Sequence, residues 1–375
     1  MKKEIFALAA VVALAACSQE DVIVADKGAA IGFDTFVENS TRSVYDPSFT
    51  NDENKMFSDF AVYGYVIGAV LLDGVRVAKD GDGMKADDYA GQTKTGWKYE
   101  GTQYWIAGAN YNFNAVAPKT VGNWKVVKED ADKNVVTNAS QTTLSFTNDG
   151  ETDLLYAYAT AQGKNEKNDV VEFNFRHVLS KVKFSFENAY NASNATIRVK
   201  DVKITDAYAS GVATLNANTS WVPTAKSNNL TLSFGNVALT AEDNAATVDQ
   251  NKMGLVLKCG DVEESYNELL MIPGQGATAY TVKDANGIDV NKTGYTVTFT
   301  VELLVSEQEV AQYTHTIYTD FAPVAGHSYD LKATIDHENI DPAHSQEAIQ
   351  FTVTNIGNWG TDDNGEAAGD NNKVI

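Results

Sequence analysis

Alternation is the feature that most narrows what this chain can become. Val171-Glu172-Phe173-Asn174-Phe175, Val182-Lys183-Phe184-Ser185-Phe186 and Tyr295-Thr296-Val297-Thr298-Phe299-Thr300-Val301 change face with every residue. Leu230-Thr231-Leu232-Ser233-Phe234 and Leu144-Ser145-Phe146 follow the same rhythm. Only an extended strand puts every second side chain on one face, and the Val, Thr, Tyr and Phe of these runs suit a half-buried pleated surface. Asp80-Gly81-Asp82-Gly83, Asn148-Asp149-Gly150 and Asn286-Gly287 fill the gaps with turn chemistry. No convincing amphipathic helical stretch follows residue 17. The expectation is an all-β chain, with sandwiches as the natural way to bury one face of many short strands.

With 375 residues there is room for about two domains at roughly 150 residues each. A hydrophobic content of 43% and an aromatic content of 10% are enough to fill two cores. The formal net charge of −21 excludes nucleic acid as a partner, because no basic stripe is present to displace counterions. Only Cys17 and Cys259 occur. If Cys17 is modified, Cys259 has no partner, and stability rests on packing and sheet hydrogen bonds rather than disulfides. Leu255-Val256-Leu257-Lys258-Cys259 reads as a strand, and nothing beside the thiol in sequence suggests an activating base.

The N-terminus states a destination. Lys2 and Lys3 precede an apolar run from Ile5 to Ala16 that ends in Leu14-Ala15-Ala16-Cys17. Such a run is too short for a permanent membrane helix, and small residues before a cysteine form a lipoprotein cleavage site. Residues 1–17 are expected to act as a lipoprotein signal ending at lipidated Cys17, with the polar Ser18-Gln19-Glu20-Asp21 as a tether. Further on, Ala30 to Val37 reads as an isolated short strand, followed by the polar Glu38-Asn39-Ser40-Thr41-Arg42-Ser43. A domain boundary is expected around residues 161–178, where a polar loop at 161–169 precedes a fresh series of strands, and the acidic tail from Gly360 to Asn372 has the composition of a disordered segment. Before the tail, Ile349-Gln350-Phe351-Thr352-Val353-Thr354-Asn355-Ile356 alternates strictly and leads to Trp359.

These pieces together resemble the fimbrillin family of type V pilins and Mfa-like lipoproteins. The residues that carry the resemblance are the lipobox at Cys17, Ile31-Gly32-Phe33, Thr41-Arg42 and Asp153-Leu154-Leu155-Tyr156-Ala157. Phe173 to Val182, Gly326-His327-Ser328-Tyr329-Asp330-Leu331 and Ile349 to Trp359 complete the set. The resemblance implies two tandem transthyretin-like β-sandwich domains with exchangeable terminal strands. It implies a propeptide over 18–42 whose strand, with Ile31 and Phe33, leaves after an arginine-specific protease cuts between Arg42 and Ser43. An N-terminal sandwich over 43–170 and a C-terminal sandwich over 171–345 would follow. Residues 346–375 would hold a donor strand, with Ile349, Phe351, Val353, Ile356 and Trp359, and the acidic tail. The implied partners are neighbouring pilin subunits, as a homopolymer or with minor pilins, and the outer membrane through lipid on Cys17. The implied location is the surface of the outer membrane and the fimbrium, with adhesion as the role.

Each candidate has a plainer reading. Arg42 by itself is a solvated loop charge; its position between an isolated strand and the body favours processing. His177, one residue past an alternating run, reads as a structural hydrogen-bonding residue. His337, His344, Asp336, Glu338 and Asp341 gather near the end, but no second histidine stands four residues after His337, and a solvated linker is the better reading. Met84 breaks the ligand alternation that calcium would need at Asp80 to Asp88, leaving a hairpin tip. Trp97, Tyr99, Tyr104, Trp105, Tyr111 and Trp124 could form a glycan-stacking face, although spacing by two favours a core. With no nucleophile elbow, phosphate loop or dinucleotide fingerprint, no enzyme, cofactor or metal is expected. The alternatives are a monomeric anchored lipoprotein that binds a host or bacterial glycan or protein, or a pilus anchor or tip subunit.

Overall fold

A computed structural model describes residues 29–37, 57–66, 69–92, 96–119, 124–127, 143–163, 170–192, 194–214, 220–224, 229–234, 254–264, 268–340, 349 and 351–358. The chain is almost entirely β, as the alternation predicts. Among the described residues, helix is confined to a 3-10 turn at Ala86–Tyr89 and one α-helical turn, α1, at His337–Ile340.

The first sheet has seven strands: β1 (Gly32–Val37), β2 (Asp59–Val66), β3 (Ala69–Lys79), β4 (Trp97–Tyr99), β5 (Asn110–Ala117), β8 (Leu155–Gln162) and β9 (Val170–His177). Their spatial order is β1-β9-β8-β5-β2-β3-β4. The sheet curls until its two edges meet, and Ala30 bridges Tyr104 just past β4. Phe60, Phe113, Phe173 and Phe175 fill the interior of the curl. Strand β2 is apolar on both sides because both are covered: Phe60 and Val62 enter the curl, while Ala61 faces a second cluster. Val170–His177 is therefore a strand of the first sheet, paired with β1 and β8. The sequence reading, which begins the second sandwich at 171, places it on the other side of the boundary. Alternation reveals a strand's faces but not its partner.

Two further sheets enclose the other main core. One contains β10 (Ser180–Asn188), β16 (Val262–Glu264), β17 (Leu269–Met271), β21 (His327–Ile335) and β22 (Phe351–Asn358). The other contains β11 (Ala195–Tyr208), β14 (Asn229–Ser233), β15 (Leu255–Lys258), β18 (Thr278–Lys283), β19 (Asp289–Val305) and β20 (Gln308–Thr319). Val182, Phe184 and Phe186 of β10 face Val297, Phe299 and Val301 of β19 across this core. In β11 the inward series Ile197, Val199 changes parity to Val202, Ile204. A register shift between Lys200 and Lys203, with Asp201 at φ 57°, inserts the extra residue. A small fourth sheet joins β6 (Trp124–Val127), β7 (Thr143–Thr147), β12 (Ser210–Thr214) and β13 (Ser220–Pro223). The chain crosses from the first core to the second through Val178 and Leu179, both fully buried in a cluster with Phe146, Tyr156 and Ile272.

Candidate functional site

The first terminal strand occupies a slot. On one side β1 pairs in parallel with β9, from Gly32 opposite Val170 to Val37 opposite Phe175. On the other side the segment after β4 holds it: Ile31 N–H donates to Gln103 O at 2.8 Å, and Trp105 N–H donates to Ala29 O at 3.0 Å. Ile31 and Phe33 have 0% exposure. The Phe33 ring lies 5.2 Å from Tyr99, 5.8 Å from Phe113 and 5.6 Å from Phe173. Burying the two side chains stabilises the intact chain by roughly 1.5–3 kcal/mol each, as an upper estimate. Tyr99 closes the slot: its hydroxyl donates to Ile31 O and accepts from Gln103 N–H, each at 3.0 Å. Burial pushes that phenol far above its ordinary pKa, so it remains a donor at any physiological pH.

The second terminal strand lies on an edge. β22 runs antiparallel to β21, from Phe351 opposite Ala333 to Asn358 opposite His327, and no further strand of the described residues flanks it. Phe351 packs 5.4 Å from the Phe184 ring and 5.9 Å from that of Phe299. Ile349 is buried and Phe351 half-buried, but Val353 remains 37% exposed. The alternating face expected to enter something hydrophobic is therefore covered only at its start. Ile356 lies within β22. Cys17, Arg42, Ser43 and Trp359 lie outside the described residues.

The remaining candidates fall into structural places. His177 is buried at the end of β9, with Nδ1 2.8 Å from Asp153 Oδ2. Trp97, Tyr99, Trp105 and Tyr111 are core residues, as the spacing by two suggests, and they are buried rather than presented to a ligand. The side chain of Trp124 lies outside the described residues. Asp80 to Gly83 forms the turn that ends β3, where Arg76 Nη1 donates to Asp82 O at 2.6 Å. Cys259 is exposed in the turn after β15, just beyond the strand that the sequence suggested for it. Residues 337–340 are not wholly a solvated linker either: α1 buries Ile340 and Asn339 beneath its exposed polar residues. His344 and Asp341 lie outside the described residues. What sequence reasoning missed is that Tyr99, Trp105 and Phe113 line the seat of β1. The aromatic crowding was visible, but its occupant was not.

Comparison with known proteins agrees with this architecture. The fimbrillin-like family model matches residues 59–359. A fimbrial protein from Bacteroides vulgatus is similar in fold, with a TM-score of 0.52 at 16% identity, covering 88% of this chain and 99% of its own. The fimbrial anchor protein Mfa2 from Porphyromonas gingivalis aligns at 11% identity over 88% of this chain and 98% of its own, with a TM-score of 0.35. No curated protein matches the chain. A family match over most of the sequence, on an all-β framework of curled and facing sheets, makes this chain a member of the fimbrillin-like family.

Proposed function

We propose that the protein is a structural subunit of a cell-surface fimbria, exported as a lipoprotein on Cys17, cleaved between Arg42 and Ser43, and polymerised by strand exchange. In this reading β1 departs with the propeptide, and the vacated slot receives the terminal strand of a neighbouring subunit. The observation that carries the reading is the seating of β1. With the residues that lead into it, it is fully buried at Ile31 and Phe33, bonded along one flank to β9 and at Ala29 and Ile31 to the stretch after β4, and joined in sequence to the body through the polar segment that contains Arg42. Its loss would uncover an apolar channel with unpaired backbone groups on both walls, a template for another strand. An incoming strand would regain main-chain hydrogen bonds for affinity and alternate side chains for register. Membership of the fimbrillin-like family supports a fimbrial or adhesive role at the surface. The role needs neither a catalytic step nor a cofactor.

N-terminal sequencing of protein recovered from cells tests the reading. A start at Ser43 is expected in fibres, and Arg42→Ala should leave a longer, lipidated and unpolymerised form. Normal fibres of unchanged subunit mass from Arg42→Ala cells would remove that arginine from the scheme. A full population retaining lipidated Cys17 would point instead to an anchored subunit or an anchored binding protein.

A further inference from the structure

One strand pair stands clear of both cores. Over residues 278–293, β18 and the start of β19 form a two-stranded arm, in register from Thr278 opposite Gly294 to Lys283 opposite Asp289. Residues 289–293 are exposed, and so are Ala279, Thr281 and Lys283. No further strand of the described residues flanks β18, so its outer row of backbone donors and acceptors is open. A ribbon of two strands is marginal in water by itself. This one is braced at its root. A Cβ on Gly276 would lie 2.2 Å from Gly294 C, so the two backbones pack closely there. The Tyr280 ring stacks on Tyr318 at 5.4 Å, and Lys292 Nζ reaches Asp320 at 2.7 Å.

Faces and charge together select a partner for this edge. Tyr280, Val282 and Val290 lie on one face of the arm, with Ile288 at the tip 62% exposed. The other face is polar: Thr281 Oγ1 donates to Asn291 Oδ1 at 2.9 Å, and Lys283 pairs with Asp289. Lys283 and Lys292 balance Asp284 and Asp289, so residues 278–293 carry no net charge in a chain of −21. Two copies that repel one another through their acidic bodies can meet here without that penalty. The edge is also self-complementary. With two β18 strands antiparallel about an axis at Thr281, Tyr280 meets Val282 of the second copy, Ala279 meets Lys283, and Thr278 meets Asp284. No like charges are opposed, and the apolar faces stay on one side.

We infer that β18 pairs edge to edge with β18 of a second copy of this chain, antiparallel and centred on Thr281, making one four-stranded sheet from two arms. The axis lies toward the tip because one nearer the root would bring the acidic bodies together. Such a contact is isologous and closes on itself, so it joins copies in pairs and cannot extend a fibre. It is independent of strand exchange at the β1 slot; in a fimbria it would tie neighbouring fibres side by side.

The full, uncleaved chain carrying Cys17→Ala and Cys259→Ser tests this with β1 still in its slot. Sedimentation should show a dimer whose share rises with concentration. Adding Thr281→Cys should give a disulfide-linked dimer, because the two positions lie directly opposite. Ala279→Cys and Lys283→Cys should each stay unlinked alone and couple when mixed, since residues four apart along a strand stand farther than a disulfide can span. Thr281→Lys sets two ammonium groups against each other across the axis and should weaken the dimer about five-fold. Thr281 is exposed, so the melting temperature of the monomer should hold. A monomer at every concentration, or a dimer indifferent to Thr281→Lys, would overturn the inference and leave the edge to a different chain. Self-coupling of Ala279→Cys as strong as that of Thr281→Cys would overturn the pairing. Either failure leaves strand exchange standing, because neither Arg42 nor the β1 slot takes part.

Discussion

At the scale of single residues, His315 shows what burial does to a titrating group on the core side of β20. Its ring stacks on Phe299 at 5.4 Å, and its Nε2 is buried without a hydrogen-bond partner among the described residues. Burial holds its pKa below the ordinary 6.5, because the charged form would lose water without gaining a partner. The sign follows from proton binding. Below that ordinary value the unfolded chain takes up a proton that the folded imidazole resists, so stability is full above it and falls as pH drops through it. His315→Gln is expected to shrink the loss of urea midpoint between neutral pH and mildly acidic pH. Identical pH slopes for the two proteins would show that the ring is not sensing the core. The pairing of His177 with Asp153 is the contrasting case, a buried histidine that does have a partner. Its structural role was legible from its place after an alternating run, but the identity of Asp153 as partner was not.

At the scale of elements, the two terminal strands differ in how firmly the rest of the fold holds them. The segment from Ala29 to Val37 is bonded on both flanks, by β9 along β1 and by the stretch after β4 at Ala29 and Ile31, whereas β22 is bonded on one and, among its described side chains, anchored by Phe351 after the buried Ile349. Phe351→Asp should therefore release β22 from β21 and leave a soluble, folded subunit. Hydrogen exchange should show lost protection over 351–358 with little change in β19 or β10. Misfolding or degradation of the whole subunit would instead make this strand an indispensable part of its own core. Phe33→Ala should behave differently before cleavage, costing about 3–5 kcal/mol because the cavity it leaves is walled by three aromatic rings.

At the scale of the whole molecule, the chain passes from β9 to β10, and so from one main core to the other, through Val178 and Leu179, and this link is buried rather than exposed. Trp221 Nε1 donates to Val178 O at 2.6 Å, and Leu179 sits in a cluster that draws side chains from both sides of the crossing. Such a junction is expected to transmit unfolding from one core to the other. Leu179→Ala is expected to destabilise the protein by about 2–5 kcal/mol and to broaden or split a calorimetric transition that is single in the parent. Two well-separated transitions in the parent would show that the junction does not couple the cores. The acidic surface implied by a net charge of −21 keeps such a β-rich chain soluble and contributes nothing to its topology.

The division between what the sequence determined and what the tertiary structure decided follows the range of the forces. Alternation is local, so it was enough to specify which faces of β9, β10 and β19 are buried and where turns such as Asp80 to Gly83 interrupt them. Pairing is not local, because every alternating strand offers the same row of backbone donors and acceptors. Only packing could decide that Val170–His177 joins β1 and β8 rather than opening the second body. The same holds for the seat of β1. Ile31 and Phe33 announced an apolar face, but the walls supplied by Tyr99, Trp105 and Phe113 lie more than sixty residues along the chain and meet it only when the sheet has curled. Val353 makes the point from the other direction. Its place in the alternation calls for burial, yet on an edge strand paired with β21 alone among the described residues it stays 37% exposed.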